Sequence, residues 1–411
     1  MSELAVEADP TGVGLDPDRL TRIDRHFAGY VEDGRLAGWS LLVSRRGRVA
    51  HLATCGRRDT EAGLPVEPDT LWRIFSMTKP IVSVAAMALY EQAAFSLTDE
   101  VSRFIPSFGQ MRVWHSGSRD APRTVPATEP VRIWHLLSHT AGLTYGFMHE
   151  HPVDALYRAA GSELVQPPHL DLAGLCDLWA AQPLLFQPGT QWAYSVATDV
   201  LGRVLEVATG DPLDRVLADL VLDPLGMTET RWWVDEPDTH RLAALYAAEP
   251  GTGRAVRYDT VGDLARKPPT HLSGGGGLVS TLADYHRFTQ ALLHGGELDG
   301  TRLVSPRTLA YMTRNHLPGG RDLASYGRGQ WADETNRGVG FGLGFAVVDD
   351  PLPARTVTSP GEFSWGGVAS TCFWVDPVEQ LTCVFMTQLA PSRTHPIRPQ
   401  LRQLVNQAIV S

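Results

Sequence analysis

The sequence predicts an α+β protein in which one antiparallel sheet is built from the two ends of the chain. Strand-like segments lie near the N-terminus and again after residue 340, and the residues between them have mainly helical periodicity. Strands and helices segregated in this way form an antiparallel sheet flanked by helices. We therefore expect a discontinuous sheet domain of residues 1–75 and 271–411 and an inserted, mainly helical domain of residues 76–270. The crevice between two such units is where an active site is expected.

The first strands are predicted from alternating apolar and polar residues. Segment 38–54, GWSLLVSRRGRVAHLAT, alternates around an Arg-Gly pair, which is typical of a β-hairpin. Segment 76–95 then begins with serine, has proline in its first turn and continues with an alanine-rich apolar run, which predicts a buried helix. Further along, segment 199–210, DVLGRVLEVATG, predicts a helix that ends at a glycine.

The last third of the chain returns to strand-like patterns. A short helix is predicted in segment 281–296, and strands are predicted in segments 340–348, 364–376 and 380–389. Segment 398–410, RPQLRQLVNQAIV, predicts a closing helix.

Composition excludes several classes of protein. The chain has a formal net charge of −10 and no block of basic residues, which argues against binding to nucleic acid or to an anionic membrane surface. The acidic segment 1–12 has no apolar stretch typical of a secretory signal, and the apolar run 80–90 is too short to span a bilayer. Four widely spaced cysteines favour reduced thiols. We expect a cytoplasmic protein, and the oligomeric state is left open.

The tetrad SMTK, residues 76–79, places a serine and a lysine at a predicted helix start. Of 36 basic residues only Lys79 and Lys267 are lysines. Arginine stays protonated in proteins, whereas a lysine amine can accept a proton. A serine hydroxyl becomes a nucleophile when a neighbouring group takes its proton. Ser76 and Lys79 therefore suit a nucleophile and its base, although so short a motif also arises by chance.

Two later segments supply groups that such a nucleophile needs. Tyr194, in WAYSVATDVLG, precedes a predicted helix and could manage the proton of the lysine; the alternative is a core tyrosine bonded to backbone. Segment 364–371, SWGGVAST, has two glycines in a strand, which suits close approach of a ligand. The N–H groups of Val368 and Ser76 could then hold an oxyanion. A β-bulge explains the same glycines.

The order of these three motifs resembles that of the serine β-lactamase and penicillin-binding-protein superfamily. Within it the chain is most similar to the class C β-lactamase-like branch, and there to the family VIII carboxylesterases. Segments 133–147, IWHLLSHTAGLTYGF, and 185–202, LFQPGTQWAYSVATDVLG, are similar to stretches of those esterases and of lovastatin-type acyltransferases. The likeness runs over most of residues 20–410.

The resemblance implies roles for individual residues. Ser76 would be the acylated nucleophile, Lys79 and Tyr194 the base system, and the N–H groups of Val368 and Ser76 the oxyanion hole. Six residues are expected on the substrate side of the site, namely Tyr145, Val196, Trp365, Gly366, Gly367 and Val368.

The sequence departs from the lactamase pattern at two places. Class C lactamases have Tyr-x-Asn, whereas the third position here is Val196, and they have Lys-Thr-Gly where this chain has Trp365-Gly366-Gly367. That lysine attracts the carboxylate of a β-lactam. Lys267 matches no motif. Unless an arginine from elsewhere in the chain reaches the site, neutral esters with an apolar part fit better than charged β-lactams.

Two other patterns are discounted. His135 and His139 have helical spacing, but no Glu follows as in His-Glu-x-x-His and no third ligand is evident, so no metal is expected. Segment 273–277, SGGGG, lacks the Lys-Ser/Thr of a phosphate loop and is interpreted as a flexible connection between domains.

The sequence thus predicts a serine hydrolase that cleaves small-molecule carboxylic esters with short or small apolar acyl groups and needs no cofactor. Acyl transfer, amide hydrolysis or weak β-lactamase activity would use the same acyl-enzyme. A rival from another class is a non-catalytic ligand-binding homologue, but a binder has no need of a deprotonatable amine beside its serine. The physiological substrate, its acyl length and its alcohol are left open.

Overall fold

The computed structural model describes residues 4–411 and is rich in both helices and strands. The α-helices are α1 (Pro17–Glu32), α2 (Thr78–Glu91), α3 (Ile133–Leu137), α4 (Pro152–Ala159), α5 (Leu172–Ala180), α6 (Ala197–Thr209), α7 (Leu213–Leu217), α8 (Asp259–Gly262), α9 (Leu282–Leu293), α10 (Pro306–Met312), α11 (Leu323–Tyr326), α12 (Pro351–Ala354) and α13 (Ile397–Asn406). The strands are β1 (Gly38–Arg45), β2 (Arg48–Asp59), β3 (Leu64–Pro65), β4 (Trp72–Arg73), β5 (Arg112–Ser118), β6 (Ala121–Pro126), β7 (Tyr246–Ala248), β8 (Ala255–Arg257), β9 (Val279–Ser280), β10 (Glu297–Leu298), β11 (Thr301–Arg302), β12 (Val339–Phe341), β13 (Ala346–Val348), β14 (Phe363–Gly366), β15 (Cys372–Asp376), β16 (Leu381–Thr387) and β17 (Leu389–Ala390).

An eight-stranded sheet joins the two ends of the chain, in the order β12-β13-β14-β15-β16-β1-β2-β3. Every neighbouring pair is antiparallel. The two halves meet where β1 pairs with β16, from Trp39 opposite Thr387 to Arg45 opposite Leu381. The predicted α+β class, with one antiparallel sheet assembled from both ends of the chain, is confirmed.

The first hairpin of this sheet follows from its turn residues. Arg46 and Gly47 connect β1 to β2 with φ angles of +54° and +73°. Two central residues with positive φ characterise the type I′ turn, whose twist matches that of the flanking strands. The hairpin predicted for segment 38–54 is confirmed.

Both faces of the sheet are covered by helices. On one face α1 and α13 pack against the strands, and Leu401 shares a core with Phe385. On the other face Tyr285 of α9 packs against Phe373, with 5.1 Å between ring centroids. Because successive side chains of a strand point to opposite faces, Val384 joins the second core and its neighbour Phe385 the first.

Helix α2 lies inside the larger core. Its residues are buried from Thr78 to Leu89, so it has no polar face, as expected for a helix surrounded by protein. The predicted buried helix is confirmed, with the difference that Ser76 lies in a preceding 3₁₀ turn, Phe75–Met77. Helix α6 ends at Gly210, as predicted, with a φ of +81°.

The sequence patterns missed two features of the fold. Segment 340–348 forms two strands, β12 and β13, because the chain reverses at Gly344, which has a φ of +97°. The mainly helical middle of the chain also contains the antiparallel hairpin of β5 and β6.

Two observations concern the environment of the chain. Within residues 4–411, no helix combines the length and the hydropathy needed to cross a membrane. The four cysteines are all free thiols.

Candidate active site

Ser76 lies at the amino end of α2, in the turn Phe75–Met77. Phe75 has a φ of +43°, a left-handed conformation that costs energy in a residue with a side chain. The turn therefore places Ser76 at the positive end of the helix dipole, which favours a developing negative charge.

Lys79 lies one turn along α2 with its side chain 1% exposed. Its Nζ donates hydrogen bonds to the carbonyl oxygen of Gly275 at 2.6 Å and to the hydroxyl of Tyr145 at 2.9 Å. The same Nζ lies 3.4 Å from the Ser76 Oγ. The structure thus brings the predicted nucleophile and the predicted base together in a buried position.

Tyr145 is the tyrosine that is hydrogen-bonded to Lys79. Burial, followed by the negative charge of Asp199 and the neighbouring Tyr194, raises the pKa of Tyr145 well above its ordinary value. Tyr145 therefore remains a protonated hydroxyl at neutral pH. The sequence had placed it on the substrate side, and its contact with the lysine was not anticipated.

Asp199 and the glycine-rich loop 273–277 complete this side of the site. The Oδ1 of Asp199, near the start of α6, accepts hydrogen bonds from Ser273 Oγ at 2.6 Å and from Gly275 N–H at 2.9 Å. Asp199 thereby holds the Gly275 carbonyl that receives the hydrogen bond of Lys79. We call Lys79, Tyr145, Asp199 and Gly275 the polar wall.

The interpretation of loop 273–277 as a flexible connection is wrong. A Cβ on Gly274 would lie 2.7 Å from the carbonyl oxygen of Thr198, and one on Gly275 would lie 2.3 Å from Asp199 Oδ2. These glycines are needed because the loop packs tightly against α6 and reaches the lysine.

Tyr194 packs against both Tyr145 and Lys79, and its ring centroid lies 5.4 Å from that of Tyr145. The Nζ of Lys79 is 4.6 Å from the centroid of the Tyr194 ring. The Tyr194 hydroxyl is buried and has no hydrogen-bond partner within residues 4–411. The alternative of a core tyrosine bonded to backbone is therefore wrong, because its hydroxyl bonds to no backbone group in that part of the chain.

Tyr194 belongs to an aromatic surface. The indole rings of Trp331 and Trp365 stack at 5.4 Å with 10° between their planes, and the Tyr194 ring lies 5.4 Å from each. The indole N–H groups of both tryptophans are also buried without a partner in the described chain. We call Tyr194, Trp331 and Trp365 the aromatic wall.

Strand β14 includes Trp365 and ends at Gly366, so the Trp-Gly-Gly segment lies at the end of this strand. The β-bulge alternative is wrong, since β14 pairs with β15 without a register shift up to Gly366 opposite Cys372. A β-turn over residues 367–370 follows, in which the Ser370 N–H donates to the Gly367 carbonyl at 3.2 Å. A Cβ on Gly367 would lie 2.6 Å from the carbonyl oxygen of Ile74. The glycine thus lets this turn approach the segment that leads into Ser76.

Val368 and Val196 differ in their accessibility. The Val368 side chain is partly exposed, and its backbone N–H donates to no other group within residues 4–411. Val196 precedes α6, and only 1% of it is exposed. Little of the Val196 side chain is therefore left to contact a substrate.

An arginine does reach the Trp-Gly-Gly segment. Arg398 of α13 donates from Nη2 to the carbonyl oxygen of Gly367 at 2.7 Å and to that of Thr371 at 3.1 Å. Lys267 is exposed and lies outside these contacts. The possibility left open by the sequence, that an arginine from elsewhere in the chain reaches this segment, is therefore realised by Arg398.

A cavity of about 120 Å³ adjoins Tyr194 and Trp331. Its walls are mixed in character and are formed by Thr144, Met148, Glu150, His151, Asp154, Leu185, Ala193, Tyr194, Arg328, Gly329 and Trp331. Space of this size beside the proposed base suits a small substituent of a substrate.

The two discounted histidines have structural contacts. The Nδ1 of His135 accepts a hydrogen bond from the Arg132 N–H at 3.0 Å. His139 contacts Ser195 through Nδ1 at 3.2 Å and packs against the Tyr194 ring at 5.1 Å. No cluster of three potential metal ligands occurs among residues 4–411.

A serine served by a buried lysine, on this arrangement of sheet and helices, defines the class of serine hydrolases that share the penicillin-binding-protein fold. A solved structure of that kind is EstCE1, described as a hydrolase with promiscuous acyltransferase activity. It superposes with a TM-score of 0.78 at 30% sequence identity, covering 94% of this chain and 97% of EstCE1.

The chain belongs to the beta-lactamase family, whose sequence pattern matches residues 23–407. Esterase EstB of Burkholderia gladioli is 34% identical over 405 residues, which cover 94% of this chain and 95% of EstB. An uncharacterized protein of Mycobacterium tuberculosis (strain CDC 1551 / Oshkosh) is 35% identical, with 87% of each chain covered. The predicted resemblance to class C β-lactamase-like proteins with family VIII esterase relatives is confirmed.

Proposed function

We propose that this protein cleaves carboxylic esters of small molecules through a covalent acyl-enzyme on Ser76. The observation that carries the proposal is the buried Nζ of Lys79, which lies 3.4 Å from the Ser76 Oγ. The similarity to Esterase EstB and to the hydrolase EstCE1 supports the same activity. The Ser-x-x-Lys motif is then the catalytic motif of the chain.

The proposed step requires Lys79 to act as a neutral amine that accepts the serine proton. A neutral amine has two N–H groups and one lone pair. The Gly275 carbonyl and the Tyr145 hydroxyl take the two N–H groups, and the lone pair is left for the Ser76 hydroxyl. An arginine cannot take this role because it stays protonated.

In the acylation step the Ser76 Oγ attacks the carbonyl carbon of the ester while its proton passes to Lys79. The carbonyl electron pair moves to the oxygen, which the N–H groups of Ser76 and Val368 stabilise. The carbon–oxygen bond to the alcohol then breaks, and the alcohol leaves with the proton. Water repeats the attack on the acyl-enzyme and releases the acid.

Tyr194 is the tyrosine we assign to proton transfer. Tyr145 stays protonated and is occupied by Lys79, whereas the hydroxyl of Tyr194 has no partner within residues 4–411. A hydroxyl without a partner is free to pass the proton between Lys79 and the leaving alcohol.

The aromatic wall favours neutral substrates with an apolar part. Trp365 stands where a lactamase carries lysine, and the Nη2 of Arg398 is already bonded to two carbonyl oxygens. The adjoining cavity of about 120 Å³ favours short or small acyl groups. We place Tyr145, Trp365, Gly366, Gly367 and Val368 around the substrate, with Val196 behind them. The free cysteines support a location in the cytoplasm.

Acyl transfer is the second candidate function. EstCE1 is described as having promiscuous acyltransferase activity, and an alcohol can replace water in attacking the acyl-enzyme. The two outcomes share every step up to the acylated serine.

A mass-spectrometric experiment tests the proposal. Short-chain aryl esters and a penicillin are incubated with the protein, and the acyl mass is located by peptide mapping. We expect the ester's acyl mass on Ser76, and none on a folded Ser76→Ala variant that has also lost turnover. Ester turnover near the wild-type rate in that variant would refute the assignment of the nucleophile, and added alcohol that increases ester formation at the expense of acid would identify acyl transfer.

A further inference from the structure

The turn that carries Val368 is fastened by one arginine at both of its ends. The Gly367 carbonyl accepts a hydrogen bond from Arg398 Nη2 at 2.7 Å as well as from the Ser370 N–H. The same Nη2 donates to the Thr371 carbonyl, which also accepts the Gly367 N–H at 2.9 Å. Arg398 therefore holds the strand end and the turn in one arrangement.

The direction of the Val368 N–H follows from that of the Gly367 carbonyl. Both groups belong to one peptide unit, which is planar and trans, so the C=O and the N–H point in opposite directions. The carbonyl is directed at Arg398. The N–H is consequently directed away from Arg398.

The charge of Arg398 also strengthens the Val368 N–H as a donor. A charged donor on a carbonyl oxygen polarises the peptide unit and increases the positive charge on its N–H. Arg398 is partly buried, where a cation needs compensation, and it forms no ion pair within residues 4–411. Its compensation comes from peptide carbonyls.

Gly366, the first glycine of the Trp-Gly-Gly segment, is explained by the same contact. A Cβ on Gly366 would lie 2.4 Å from Arg398 Nη2, so any other residue there would displace the guanidinium. Gly367 admits the backbone at Ile74, and Gly366 admits the arginine. The contact with Arg398 therefore accounts for the glycine at position 366.

We infer that Arg398 is a positioning residue that orients and polarises the Val368 N–H for the oxyanion of the acylation step. The inference rests on the proposed ester hydrolysis and adds a residue to it. Because the oxyanion exists only in the transition state and the intermediate, Arg398 acts on kcat and leaves the binding of a neutral ester unchanged.

Arg402, one turn later on α13, is a matched control. Its Nη2 donates to the Oε1 of Glu362 at 2.6 Å. Glu362 directly precedes β14, at the end of the strand away from Gly366. The Arg402 guanidinium lies 5.4 Å from the Trp374 ring centroid. Arg402 thus ties α13 to the same strand without contacting the turn. Removing it reports the cost of loosening the strand alone.

The test compares Arg398→Met, Arg398→Lys and Arg402→Met on a neutral short-chain aryl ester. For Arg398→Met we expect kcat to fall about ten- to a hundredfold, less than the loss of an oxyanion donor, with KM within about threefold of wild type. Arg398→Lys keeps a charge and a donor and should recover much of the lost kcat. Arg402→Met should lower the melting temperature and leave kcat within about twofold.

Three results would overturn the inference. One is an unchanged kcat in Arg398→Met. Another is a raised KM with unchanged kcat, which would make Arg398 a substrate-binding group. The third is an equal loss of kcat in both Met variants, which would show that Arg398 only stabilises the position of the strand. If Arg398→Met does not fold, Arg398→Gln, which also removes the charge, takes its place, and a wild-type kcat in that folded variant contradicts the inference. A wild-type protein that hydrolyses no ester would refute the proposed function itself.

Discussion

The polar wall and the aromatic wall of the candidate site differ in how completely their polar groups are hydrogen-bonded. In the polar wall, hydrogen bonds connect the Lys79 Nζ, the Asp199 carboxylate and the N–H and carbonyl of Gly275 to one another or to neighbouring groups. In the aromatic wall the Tyr194 hydroxyl and both indole N–H groups are buried without partners in the described chain. An unsatisfied buried polar group costs roughly 1–3 kcal/mol. The polar wall is thus complete in itself, whereas the aromatic wall contains polar atoms that the described chain leaves without partners.

The largest expected effect concerns the charge selectivity of the aromatic wall. We expect kcat/KM for a neutral short-chain ester to exceed that for a penicillin by at least roughly a thousandfold, because burying a carboxylate beside Trp365 without a free cation costs several kcal/mol. Trp365→Lys should narrow the gap by improving penicillin acylation. Steady-state kinetics on both substrates measure it, and a wild-type enzyme that prefers the penicillin would overturn the esterase assignment.

The next effect tests the base of the polar wall. Lys79→Arg keeps a positive charge but cannot accept a proton, so it should lose about as much kcat as Lys79→Ala, on the order of a hundredfold or more. If Lys79 supplied only positive potential, arginine would restore much of the rate. Aryl ester turnover and thermal melting of both variants separate these outcomes.

The two tyrosines distinguish the walls directly. Tyr194→Phe removes an unpartnered hydroxyl and should cost about a hundredfold in kcat with little loss of stability. Tyr145→Phe removes a partner of Lys79 and should cost stability, roughly 1–3 kcal/mol in the free energy of unfolding, with a smaller loss of kcat. Denaturant unfolding and kinetics on both variants are the measurement. The reverse pattern would exchange the roles of the two tyrosines.

The last effect is on stability in acid and does not involve either wall. Burial lowers the pKa of His135 and of His286 to about 4 each. The unfolded chain then binds more protons between pH 6.5 and 4 than the folded one, so stability is lost as pH falls through this window. We expect a loss on the order of 2–3 kcal/mol per histidine, and His286→Gln should flatten the slope. Denaturant unfolding at a series of pH values tests this, and a stability that is independent of pH would contradict it.

How much of the site was predictable depended on whether its signal was local in sequence. Ser76 and Lys79 lie three residues apart, so their relation was visible before the fold was known. The contacts of Asp199, Gly275 and Arg398 join distant segments, and the neighbouring residues in the sequence do not indicate which groups they bond to. The run of glycines at 273–277 did carry a signal of close packing, but it was interpreted as flexibility.

The fold followed the same pattern. The hairpin of β1 and β2 and the buried helix α2 were predicted because their periodicity and their turn residues are local. The break between β12 and β13 was missed because a single glycine with positive φ is hard to distinguish from a glycine within a strand. Tyr145 was placed at the site by resemblance, but its hydrogen bond to Lys79 depends on how α2 and segment 133–147 pack.

The pairing of β1 with β16 has a consequence for when the enzyme becomes active during its synthesis. Ser76 and Lys79 emerge from the ribosome well before Val368, the partner strand β16 and Arg398. Contacts between such distant segments form only after most of the chain is available. On the proposed mechanism, the nascent chain therefore carries Ser76 for much of its synthesis without Val368, and we expect it to react with esters only after β14, β15 and β16 have joined the sheet.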